Sequence, residues 1–406
     1  MTRRQRARIF ALAAILASPA LAEDILRLPI GDPARRDRTV PVVLDAITDT
    51  SNGTAITPAE LPSRLSSVRL LLVGEEHTSM DSHRVELAVI EALVRAGRKV
   101  TVALEMFPYP EQKLLDDWSN GRLSEEEFLA PGRWYKSWGY NWLYYRDVFF
   151  FARDRRLPMV AVNAPREVVS AVRKKGFQGL TAEEAAHIPS KIDTDSSDHL
   201  RLFKASFDDA SFHASMDEEG WNAMLAAQCT WDATMGFQAV KALGGDADPK
   251  SIVVLLVGAG HVQYGLGIER QVRAQWPVPT VSVIPVAVRD DKGKAVGSVQ
   301  ASYANFVWGV PAETEPVYPD LGVSTRPGAE GGLLEVIHVE KDSPAERASL
   351  KEKDLLVSLD GSPLPDREAL ARLMGAKRWG DAAVVVVRRG AENATVTVPL
   401  RRKGPD

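Results

Sequence analysis

The sequence predicts an α/β fold, a mostly parallel sheet with flanking helices and a helical insertion, followed by a small β-rich (α+β) domain. Three observations predict it. Four short apolar runs, at 70–73, 100–104, 159–162 and 252–257, are separated by longer segments of helical period. From residue 318 the pattern changes to short strands, tight turns and a capped helix. The length, 406 residues, is enough for two or three domains.

At the N-terminus Arg3, Arg4, Arg6 and Arg8 precede an apolar run over 9–17 and a small-x-small site at Ala20-Leu21-Ala22. This predicts a signal peptide over 1–22 and an exported, periplasmic protein. The run is shorter than the roughly 20 residues a bilayer-spanning helix needs. The single cysteine, Cys229, is far from this site, so neither a lipid anchor at an N-terminal cysteine nor an intramolecular disulfide is expected. Cys229 is expected to be a buried small hydrophobe. The formal charge of -4 falls to about -8 without the four leader arginines, which argues against nonspecific nucleic-acid binding.

The first domain is expected over 23–311. Its four apolar runs read as buried parallel strands. The segment 82–96, with apolar residues at Val85, Ala88, Val89, Ala92 and Leu93 and with Gly97 after it, reads as the helix of a βαβ unit. The segment 199–243 reads as an inserted helical pair broken near Gly220. Polar groups follow each strand: Gly74-Glu75-Glu76-His77, then Glu105, then Asn163, then Gly258-Ala259-Gly260-His261. Ligands of open α/β sheets bind beyond the carboxyl ends of the strands, so His77, Glu105, Asn163 and His261 are expected around one crevice. The repeated Gly-x-x-His marks His77 and His261, because glycine permits a tight turn holding imidazole at the sheet edge. His83, off the i, i+4 spacing from His77, is a weaker member. His187, His199 and His213 look ordinary.

Between the second and third strands runs an aromatic segment containing Arg133, Trp134, Tyr135, Lys136, Trp138, Tyr140, Trp142, Tyr144, Tyr145 and Arg146. The residues leave two readings open, core packing or a site for a flat ligand.

With Leu104-Glu105-Met106-Phe107-Pro108, Trp138-Gly139-Tyr140-Asn141-Trp142 with Tyr145, Ala161-Val162-Asn163-Ala164-Pro165, a run at 228–235 and both Gly-x-x-His motifs, the chain resembles the ChaN-like haem-binding family of the Tiki/TraB superfamily from about residue 70 to 311. The resemblance implies haem binding in connection with iron acquisition, a tyrosine iron ligand (Tyr145 or Tyr140) and a site built partly across a homodimer. Trp138 and Trp142 would flank the macrocycle, Arg133, Lys136 or Arg146 would pair with its propionates, and Asn163 would line the site. The wider superfamily implies an alternative, a metal-dependent peptidase or esterase in which His77, Glu105 and His261 hold a divalent cation and Glu76 polarises water.

Residues 312–317, with Pro316 among them, read as a linker. Over 318–403 the chain resembles the PDZ domain of HtrA-type exported proteases. That implies a peptide or a partner's C-terminus bound at Tyr318-Pro319-Asp320-Leu321-Gly322-Val323, with Leu321, Gly322 and Val323 as contacts. A PDZ adaptor with no cofactor is a further alternative. Ser349 and Lys353 stand where relatives usually place glycine, which predicts left-handed backbone at a cost on the order of 1 kcal/mol.

Overall fold

A computed structural model describes residues 24–402 apart from 208–212, 214, 246–247, 291, 314 and 329–331; the expected leader over 1–22 lies outside the described residues. The first domain is built on an eight-stranded sheet in the order β3-β2-β10-β8-β4-β7-β5-β6. These strands are β2 (Ile47–Asp49), β3 (Thr54–Ile56), β4 (Leu70–Glu75), β5 (Lys99–Pro108), β6 (Met159–Asn163), β7 (Ser251–Gly258), β8 (Thr280–Ala287) and β10 (Phe306–Val310). The six strands from β10 to β6 are parallel, and β2 and β3 add an antiparallel edge. Beside them, β1 (Thr39–Pro41) pairs with β9 (Ser298–Gln300).

The central strands carry continuous apolar runs because helices cover both faces. Residues 70–73 of β4 and 252–257 of β7 are at most 1% exposed. One face packs on the helices Met80–Arg95 and Trp142–Asp154, with an aromatic cluster that includes Trp118, Phe128, Trp134, Trp142 and Phe149. The other face packs on Glu218–Ala242 and Ile268–Arg273. Ser79 caps Met80–Arg95, its hydroxyl accepting from Ser82 N–H, and Gly97 after its end has φ +76°. The inserted pair is Ser197–Ala205 and Glu218–Ala242. Gly220, expected at the break, instead sits in the first turn of the long helix, where its N–H donates to the capping Asp217. Among the described residues no helix is long and apolar enough to cross a membrane.

The C-terminal domain is an antiparallel sheet in the order β11-β12-β13-β15-β16, with β14 (Ser362–Pro363) paired to β13. Its strands are β11 (Val323–Pro327), β12 (Leu334–Val339), β13 (Leu355–Leu359), β15 (Ala382–Arg389) and β16 (Glu392–Pro399). Ser343 caps the helix Pro344–Arg347 and Asp366 caps Arg367–Gly375. Ser349 and Lys353 have φ of 62° and 70°, the left-handed backbone expected of them. The two domains touch. Asn141 donates to the Gly375 carbonyl (3.3 Å), Tyr318 N–H to the Tyr144 hydroxyl (3.3 Å), and the Tyr144 and Tyr318 rings meet edge-on at 4.9 Å.

Candidate functional site

At the carboxyl edge of the sheet, β4, β5 and β7 deliver four acidic or imidazole groups into one place. β4 ends at Glu75, with His77 two residues on; β5 carries Glu105; and β7 leads into His261 through Gly258. His77 Nδ1 is 2.9 Å from Glu75 Oε1, which fixes the ring and turns Nε2 toward the crevice. Gly258 leaves the room: a Cβ there would stand 2.9 Å from His77 Cε1 and 3.1 Å from Nε2. Its N–H donates to Glu105 Oε2 at 2.7 Å.

His261 is held on both sides. Nδ1 is 2.6 Å from Asp232 Oδ1 and Nε2 is 3.4 Å from Glu105 Oε1, with the Gln228 amide 2.9 Å from Nδ1. Burial disfavours its charge, but Glu105 and Asp232 outweigh that and raise its pKa to about 10. Glu105, which burial would raise, is brought down to about 2 by His261, His77 and the Gly258 N–H. His77, despite its own burial, is raised to about 8 by Glu75 and Glu105. Behind them His83 Nδ1 lies 2.9 Å from Glu86 Oε2 and 3.0 Å from Glu75 Oε2. Burial pushes Glu86 up to about 8, and desolvation pulls His83 down.

A cavity of about 1000 Å³ opens from this edge, lined among others by Glu75, His77, Phe203, His261, Arg289 and Tyr303. The aromatic segment meets the crevice through His77, whose ring lies 5.0 Å from Trp138, edge-on, and 4.7 Å from Tyr140.

Residues 61–272, just over half of the chain, match the family described as haem-binding uptake, Tiki superfamily, ChaN. The chain belongs to the ChaN-like haem-binding family. Residues 319–400 match the PDZ domain. The ChaN-like chain is 23% identical over 256 residues to Protein RETICULATA-RELATED 5, chloroplastic, of Arabidopsis thaliana, covering 60% of this chain and 34% of the relative. It is 32% identical over 88 residues to a probable periplasmic serine endoprotease DegP-like of Rhizobium meliloti (strain 1021), covering 22% of this chain and 17% of that one. It thus spans about a third of the first relative and about a sixth of the second. Among solved structures it is similar to ChaN of Campylobacter jejuni with cofacially bound haem, at 19% identity and a TM-score of 0.49, covering 64% of this chain and 95% of that one.

Within this ChaN-like domain the two candidate tyrosines part company. Tyr140 is 37% exposed, whereas Tyr145 is 1% exposed and its hydroxyl donates to Glu75 Oε1 at 3.2 Å. Trp142, expected to flank the macrocycle, is buried in the aromatic cluster, its indole N–H on Glu125 Oε1 at 2.7 Å. Arg146 is turned the same way, bound through two nitrogens to Glu125 at 2.8 and 3.1 Å. Arg133 donates to the Glu127 carbonyl, and Lys136 is exposed. Asn163 braces the site from behind, donating to the Glu105 carbonyl at 2.8 Å. Glu76 is exposed at the cavity mouth.

Glu75, Gln228 and Asp232 lie in the motifs quoted above but have no role assigned there, Glu86 goes unremarked, and His83 is ranked too low. Gln228 and Asp232 are four apart on one helix, and His83 and Glu86 three apart, spacings that place each pair on one face. That was the signal available.

In the PDZ domain, Leu321, Gly322 and Val323 line a groove of about 570 Å³ with Arg367, Leu370 and Met374. Gly322 has φ +73°, and a Cβ there would fall 2.2 Å from Ser343 Cβ. Among the described residues β11 pairs only with β12, leaving an edge for an added strand.

Proposed function

We propose that this chain binds haem on the face shared by Tyr140 and His77, with the Tyr140 phenolic oxygen as the iron ligand. The carrying observation is that, of the two tyrosines the family resemblance picks out, Tyr140 alone combines an exposed ring with contact to the His77 imidazole. Burial and the carboxylates of Glu105 and Glu75 raise the Tyr140 pKa, so the phenol is neutral until a cation takes the proton's place. Iron(III) in haem supplies that charge. The fit is supported by Trp138, whose buried ring backs His77, and by Lys136, which stands exposed on the same segment for a propionate. A haem on a surface tyrosine keeps one face open, and a second copy of the chain is proposed to cover it.

Titration of the purified protein with hemin tests the reading. A Soret band that survives gel filtration in wild type and Tyr145→Phe, and is lost in Tyr140→Phe, is expected; retention in Tyr140→Phe overturns the assignment. The PDZ domain is proposed to bind a peptide C-terminus along β11. Export to the periplasm and a part in iron acquisition are proposed from the arginine-led apolar leader and the family's uptake role, with cell fractionation as the check.

The hydrolase alternative keeps one supporting observation: donor atoms of Glu75, His77 and Glu105 lie within 4.8 Å of one another. His261, with both ring nitrogens facing carboxylates, is better placed as their counter-charge than as a ligand.

A further inference from the structure

We infer that Glu75, His83 and Glu86 form a separate cation site behind the crevice, for a divalent first-row transition ion bound without a porphyrin. Glu75 closes β4, while His83 and Glu86 stand three apart on the first turns of Met80–Arg95 and so share the helical face turned to the strand end. All three are at most 3% exposed.

The tautomer of His83 carries the argument. Its Nε2 lies 3.3 Å from the His77 carbonyl oxygen, which can only accept, so Nε2 bears the hydrogen. A neutral imidazole then has a bare lone pair at Nδ1, and that atom faces Glu86 Oε2 at 2.9 Å and Glu75 Oε2 at 3.0 Å. When both carboxylates are ionised, three acceptors converge with no donor among them. Glu75 Oε2 and Glu86 Oε1 are moreover buried without a hydrogen-bond partner. Such groups are costly to leave unmatched.

Charge points the same way. Among the described residues the ion partners of Glu75 and Glu86 are histidines, with no lysine or arginine. Ionised, Glu75 and Glu86 bring two negative charges, against which His77 sets at most one, so a dication meets a net negative site. The neighbouring Glu105, His261 and Asp232 differ, because there the imidazolium is itself the cation. Spacing fits as well: donors at right angles on an ion with bonds of about 2.1 Å stand about 3.0 Å apart. A ligating histidine that donates its other N–H to a backbone carbonyl is the usual outer-shell arrangement. Glu75 is oriented in turn through Oε1, which accepts from Tyr145 at 3.2 Å and lies 2.9 Å from His77 Nδ1. The large cavity reaches Glu75 and Ser82, which provides a way in. Imidazole with two carboxylates and no thiolate suits manganese, iron(II), cobalt or zinc.

The test uses the full chain, stripped with a chelator, free of haem, equilibrated with Co²⁺ and passed through gel filtration. One Co²⁺ per chain with a visible ligand-field band is expected. Glu86→Gln, which preserves shape, and His83→Gln each weaken affinity at least tenfold, while Glu105→Gln, which would loosen an ion held in the crevice, weakens it far less than either. Co²⁺ that elutes with the salt, or affinity that follows Glu105 and not Glu86, overturns the assignment. Should neither variant fold, wild type decides: the Co²⁺ form should show one exchange-protected, strongly shifted imidazole N–H resonance from His83 Nε2, and its absence overturns the site.

Discussion

Tyr140 and Tyr145 are five residues apart, and the sequence offers no means of choosing between them. Their exposure does. Asn141 accepts from Leu143 N–H and starts the helix Trp142–Asp154, so Tyr140 stays in the preceding loop while Tyr145 turns inward to Glu75. Trp142 and Arg146 were similarly ambiguous, since an aromatic run is compatible with a core and with a ligand face, and only the partner Glu125, about twenty residues upstream, resolves them. His261 and Glu105 make a prediction at this scale. The raised pKa of His261, about 10, stabilises the fold fully below the unfolded value near 6.5, and that contribution is lost as pH rises through about 10. The lowered pKa of Glu105, about 2, stabilises above the unfolded value near 4.5 and is lost as pH falls through about 2. Thermal unfolding should therefore show a stability plateau near pH 5–6 that declines toward pH 10, and His261→Gln should flatten the alkaline decline. An unchanged slope in that variant would show that the pair is not the cause.

At the scale of elements, β4 to β7 were legible because both faces of each are buried, leaving continuous apolar runs. β8 and β10 were not singled out. Ser282 and Pro285 interrupt β8, and Pro285 is tolerated because the pairing with β4 stops at Val283, two residues earlier. Gly309 interrupts β10 because a Cβ there would lie 2.1 Å from the Val43 carbonyl. The PDZ elements are marked by local signals, caps and turns: Ser343 and Asp366 each accept a backbone N–H at a helix start. Ser349 and Lys353 keep left-handed backbone without being glycine. Ser349→Gly and Lys353→Gly are each expected to stabilise the domain by about 1 kcal/mol in urea unfolding. Gly322→Ala should do the reverse and remove peptide binding, because the added methyl has no room beside Ser343.

Across the whole molecule, the PDZ domain covers part of the aromatic cluster. Tyr318, Val317 and Ala371 pack against it, and Gly375 sits so close to the Tyr135 hydroxyl that a Cβ would lie 2.2 Å away. Truncation after Pro311 should therefore uncover Tyr135 and Tyr144, lower the melting temperature of the remaining domain and increase binding of an apolar dye; no change in either would show that the contact carries no stability. The residues that make this contact could not be picked out in the sequence. Gly139, between Trp138 and Tyr140, lines the PDZ groove, which brings the peptide-binding surface beside the proposed haem face. Tyr140 as the proposed haem-iron ligand is tested by hemin titration of Tyr140→Phe beside wild type and Tyr145→Phe. A Soret band stable to gel filtration is expected in wild type and Tyr145→Phe and absent in Tyr140→Phe; a band that persists in Tyr140→Phe and vanishes in Tyr145→Phe puts the iron on Tyr145 instead.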